Sequence, residues 1–68
     1  TNDEAVKLLA EAADKDESNE NRLAAIQELG ELGSRAKSAV ATLDRLRKED
    51  GRANVRDAAA KALAQIQQ

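Results

Sequence analysis

Five hydroxyl side chains, Thr1, Ser18, Ser34, Ser38 and Thr42, are the nucleophiles of ordinary hydrolytic chemistry, and each needs an adjacent base to become reactive. The chain has no histidine and no cysteine to complete such a pair, and each serine reads better as a helix cap or a turn residue. The same two absences remove zinc, whose sites are built from imidazole and thiolate. Carboxylates are plentiful, but a paired-carboxylate glycosidase needs a cleft between them, and a chain this short can hardly enclose one. The run Asp14-Lys15-Asp16-Glu17-Ser18 begins like a calcium loop. It then places Asn19 where the tight turn requires glycine and Ala25 where a bidentate glutamate belongs. No catalytic residue, metal site or cofactor is expected.

Charge is the other chemical resource. The total is −2, but residues 1–20 carry seven acids against Lys7 and Lys15, whereas residues 35–61 carry eight bases against Asp44, Glu49, Asp50 and Asp57. Such asymmetry reads either as a face for a polyanion or as two ends that attract each other. Arg45, Lys48 and Arg52 could meet phosphates along one side of a helix and its turn. Against nucleic acid stand the acidic total and the lack of any aromatic ring on which a base could stack.

These side chains must be carried by helices. Apolar residues recur at helical spacing in four segments, no segment alternates with period two, and proline is absent. The first helix is expected over about Asp3–Asp14, with Thr1 and Glu4 in capping-box spacing. Ser18 suits the N-cap of a second helix bearing Leu23, Ala25, Ile26, Leu29 and Leu32, which Gly33 ends. Ser34 is expected to cap a third helix with Ala36, Ala39, Val40, Leu43 and Leu46 on one face, stopping at Glu49-Asp50-Gly51. The fourth carries Val55, Ala58, Ala59, Ala62, Leu63 and Ile66. Gly30 lies inside the second helix, where it costs about 1 kcal/mol relative to alanine. A crossing helix too close for a Cβ would explain it.

Fifteen of the 28 apolar residues are alanine, and the larger ones are eight Leu, three Val and two Ile. Close helix packing and a small stability margin follow, since a single core at this length rarely supplies more than about 3–5 kcal/mol. No run reaches the roughly 18 apolar residues of a membrane span.

Displaced by 34 residues, the chain falls on itself without a gap. Ala5-Val6 meets Ala39-Val40, Leu9 meets Leu43, Asp16 meets Asp50, Arg22 meets Arg56, Ala24-Ala25 meets Ala58-Ala59, and Leu29 meets Leu63. A period of this length marks stacked repeats, each leaning on the next to bury its apolar face. Two units, about 1–33 and 34–68, make one domain over residues 1–68.

The order Asp50, Val55-Arg56, Ala58-Ala59, Ala62-Leu63-Ala64-Gln65-Ile66 resembles the HEAT repeat, in the bacterial form also found in phycobilin-lyase-like proteins. Asp16, Arg22, Ala24-Ala25 and Leu29-Gly30-Glu31-Leu32-Gly33 give the first copy. Asn21 and Asp44 depart from the pattern where aliphatic residues belong, Arg52 where an N-cap Asp belongs, and Ala41 where a kinking proline often sits. The resemblance implies that Asp16, Arg22, Asp50 and Arg56 bond across repeats as structural residues, so that Arg56→Ala should cost more than Arg47→Ala. It also implies that the second-helix row Leu23, Gln27, Glu31 in one unit and Asp57, Lys61, Gln65 in the other forms a concave ligand surface.

The expected fold is all-α: four helices as two stacked helical hairpins in a right-handed α–α superhelix. The expected function is a non-catalytic module that binds protein or peptide through that concave row, or that associates with itself or with further repeats. Phosphate-backbone binding by the basic half is the rival reading. A bilin-handling accessory role lacks any aromatic, His or Cys to hold the pigment. The opening at Thr1 instead of methionine keeps open an engineered or excised repeat module without native activity. A cytoplasmic setting without membrane contact is compatible with the composition.

Overall fold

Four segments with apolar residues three and four apart can bury them only against one another, and the architecture follows from that need. The computed structural model describes residues 2–67. Helices α1 (Asn2–Lys15), α2 (Asn19–Leu32), α3 (Val40–Glu49) and α4 (Ala53–Ile66) are joined by short turns, with a 3-10 segment at Gly33–Ala39 between α2 and α3. Among the described residues there is no strand. The Thr1 half of the expected capping box lies outside them.

Helix α1 packs on α2 and α3 packs on α4, giving two helical pairs. The joint between the pairs is mainly α2 against α4, with the 3-10 segment wedged beside α1, α2 and α4. The core takes Val6 and Ala13 from α1, Ala25, Ile26 and Leu29 from α2, and Leu43 and Leu46 from α3. Val55, Ala59, Ala62, Leu63 and Ile66 come from α4, and Ala36 and Ala39 of the 3-10 segment complete it. No polar or charged residue is buried among the described residues.

Local chemistry fixes the boundaries. Ser18 is extended, and its hydroxyl accepts the Asn21 N–H at 3.3 Å, capping α2 as expected. Gly33 ends α2 at φ 60°, a conformation that a Cβ penalises, and its N–H returns to the Gly30 carbonyl. The third helix differs from expectation. Ser34 caps nothing: the chain passes into the 3-10 segment, where Ala36 sits at φ −99°, ψ 20°, and α3 begins only at Val40. The expected Ala36 and Ala39 are both fully buried, because three-residue spacing also matches the three residues per turn of a 3-10 helix. Arg52 opens α4 without a side-chain cap bond, as its departure from the repeat pattern implies.

Gly30 is where α2 and α4 cross. A Cβ built on it would stand 3.1 Å from the Ala62 Cα and 3.2 Å from the Ala62 Cβ, and would also meet the flexible Gln65 amide. The glycine therefore sets how closely the two pairs approach.

Candidate functional site

The crossing of α2 and α4 leaves a groove along one face of the molecule. Leu23, Gln27 and Glu31 form one wall and Ala58, Lys61, Ala62 and Gln65 the other, around about 390 Å³. Five of the six residues expected in the concave row are thus brought together; Asp57 is exposed and lies outside the lining. Successive positions four apart on each helix explain the alignment, since they stack on one face. Leu23 is half-buried, packed on the core while also lining the groove. Gln27 donates from its Nε2 to the Glu31 carboxylate at 3.4 Å, a long exposed contact that a ligand could replace. The walls offer amide donors and acceptors from the two glutamines, one anion, one cation and one apolar patch.

A second, larger groove of about 550 Å³ lies between α1 and the start of α3. Its walls include Val6, Lys7, Ala10, Glu11 and Asp14 on one side and Ser38 and Thr42 on the other. The Arg45 guanidinium meets the Asp14 carboxylate at 2.8 Å across the same pair of helices. That bond raises Arg45 above its already high ordinary pKa.

The four residues expected to join the repeats divide into two kinds. Arg22 donates to the Asp50 carboxylate across the two helical pairs, and its Nε donates to the Ala13 carbonyl at 2.8 Å. Their side chains are only 12% and 10% exposed, so this charge pair is largely shielded from water. Asp50 also accepts the Arg52 N–H at 3.0 Å. Burial pushes the Asp50 carboxyl up, but the Arg22 hydrogen bond, the Arg52 amide and both positive charges outweigh it and hold it below the ordinary range. Asp16 and Arg56 bond within their own pairs. Asp16 accepts from the Ser18 N–H at 2.8 Å and the Asn21 amide at 3.3 Å, and Arg56 donates to the Asp50 carbonyl at 2.7 Å. The cross-pair bond expected of Arg56 is made by Arg22 instead.

The basic candidates are mostly engaged. Arg45 holds Asp14, and Lys48 and Arg47 reach Asp44 at 3.1 and 2.6 Å. The hydrogen bond from Arg47, followed by that from Lys48, lowers the Asp44 pKa. Arg52 is exposed, with only its backbone N–H bonded to a side chain. Among the described residues no cluster of acids could hold a metal ion, and no helix is long and apolar enough to cross a membrane.

The signal that sequence reasoning missed is positional. Arg22 and Arg56 are equivalent under the 34-residue shift, but among the described residues only Arg22 faces a following pair, so the direction of the contact came only with the fold.

Comparison with known proteins agrees with this architecture. A family model described as HEAT repeats matches residues 1–68. No curated protein and no solved structure gives a match. The match carries the repeat family and not its phycobilin-lyase-like subtype. A match across the whole length, over two stacked helical pairs with an Arg–Asp bond between them, is membership: the chain belongs to the HEAT-repeat family, whose helical modules often serve protein interaction.

Proposed function

We propose that this chain is a non-catalytic interaction module, built of two repeats at about 1–33 and 34–68, which holds an extended peptide segment in the groove between α2 and α4. The observation that carries the reading is the convergence of Leu23, Gln27, Glu31, Lys61 and Gln65 on one open groove. An extended peptide presents unpaired backbone N–H and C=O groups along its length. Gln27 and Gln65 match these with both donors and acceptors. Glu31 and Lys61 select opposite charges along the segment, and Leu23 receives one apolar side chain. The floor at Gly30 and Ala62 is already close-packed, which suits a segment lying on the surface better than a small molecule enclosed by it.

The test is selection from a random extended-peptide library, followed by amide chemical-shift mapping of the selected peptide on the labelled chain. Shifts concentrated on Leu23, Gln27, Glu31, Lys61 and Gln65, and lost binding in Leu23→Ser, are expected. Selected peptides whose shifts fall on Arg45, Lys48 and Arg52 would refute it. A labelled duplex titrated across a salt series should show no salt-dependent binding, because the chain is acidic overall and offers no aromatic ring on which a base could stack.

A further inference from the structure

The groove engages neither end of the stack, and the two ends carry a second inference, independent of the first. Inside the molecule, four places mark how the second helical pair faces the first. Arg45 meets Asp14, Asp50 meets Arg22, Ala62 meets Gly30, and Thr42 stands across a groove from Val6 and Ala10. Moving the second pair's side of this joint back by 34 residues gives Glu11, Asp16, Glu28 and Leu8. Moving the first pair's side forward gives Lys48, Arg56 and Ala64, with Val40 and Asp44 at the groove.

Nothing among the described residues covers these translated surfaces. Leu8 is 66% exposed and is the one large hydrophobic residue so exposed among the described residues, although its counterpart Thr42 faces the neighbouring pair. Glu11, which also borders the inner groove, and Glu28 are exposed on one end; Ala64 and Lys48, which keeps further ammonium donors beside its 3.1 Å contact with Asp44, are exposed on the other. Arg56 gives one N–H to its own turn and has further donors left on its guanidinium. The charges are complementary: Lys48 would meet Glu11, and Arg56 would meet Asp16. The first of these is informative. The inner contact runs from Asp14 to Arg45, whereas the translated one runs from Lys48 to Glu11, so both signs are reversed together and attraction is kept. Leu8, longer than Thr42, would lie over half-buried Val40 and the Asp44 stem, filling the space that stays open at the inner joint.

We propose that the acidic end of one copy of this chain docks on the basic end of a second copy, with contacts in the order of the inner joint but the helices held farther apart, because Ala64 and Glu28 stand where Gly30 and Ala62 pack closely. Such a contact joins two different faces, so copies add head to tail instead of pairing off as a two-fold dimer.

Sedimentation equilibrium of the purified chain at low salt, from about 10 µM to about 1 mM, tests this in the range where small interfaces assemble. The apparent mass should rise with concentration, pass the two-chain value and fall back as salt is added. Glu11→Lys and Lys48→Glu should each weaken association about tenfold, since like charges then face each other at the joint. Mixing the two variants should restore it, because each end again meets its opposite. Leu8→Ser should weaken association without lowering the melting temperature, as Leu8 contributes little to the single chain's core. A constant one-chain mass would overturn the proposal and leave both ends to a different partner. So would a dimer that stops at two copies and ignores all three substitutions.

Discussion

Replacing Arg22 by alanine removes two bonds at once, one to the Asp50 carboxylate and one to the Ala13 carbonyl. A hydrogen bond to a charged group contributes about 1.5–3 kcal/mol and a neutral one about 1 kcal/mol. Asp50 would keep the Arg52 N–H, so its charge would not be wholly orphaned, and the residual exposure of both side chains admits some screening. The expected loss is about 2–3 kcal/mol after that discount. Against a total of about 3–5 kcal/mol for a core of this size, that is about two-fifths of the stability or more. At about 4–8 °C per kcal/mol, thermal melts followed by far-ultraviolet circular dichroism should shift down by about 8–24 °C. Arg56→Ala removes a single bond to a carbonyl and should cost about 1 kcal/mol. Arg47→Ala breaks an exposed pair within α3 and should barely move the melt. Melting temperatures for Arg22→Ala and Arg47→Ala that agree within error would refute the claim that the Arg22 bond couples the two helical pairs.

Asp50 supplies a pH test. Its carboxyl is held below the ordinary value of about 3.9, so its stabilisation is complete above that value and drains away as pH falls through the folded one. Acid melts of Asp50→Asn should therefore be flatter below about pH 4 than those of the unmodified chain; parallel curves would remove the argument. Gly33→Ala forces a Cβ onto φ 60° and should destabilise by at least about 1 kcal/mol in urea titration, although nothing crowds that Cβ. Gly30→Ala sets a helix-propensity gain of about 1 kcal/mol against an overpacking cost of about 1–3 kcal/mol where α2 meets α4. A net loss of stability is expected, and a variant more stable than the parent would show that the crossing yields.

The four helices, the Ser18 cap and the Gly33 stop were legible because each rests on local chemistry within a few residues. The close approach at Gly30 was legible too, since glycine mid-helix needs a reason. The 3-10 segment was not. Ala36 and Ala39 satisfy both helical periods, and Ser34 is as good a cap on paper as Ser18. The groove row was readable as spacing, but Asp57 fell outside it because the lining depends on how α4 is rotated against α2, which side-chain packing decides. The Arg22 bond needed the stack itself: among the described residues, the two equivalent arginines differ in whether a following pair stands within reach.

Helix α2 touches every other helical layer except α3 closely, lying against α1, α4 and the 3-10 segment. It is the spine of the molecule, and opening either flank leaves it still covered by the other. Its central amides, around Ile26 and Leu29, should consequently be the last to exchange with deuterium, while those of α1 and α3 exchange through cheaper partial openings.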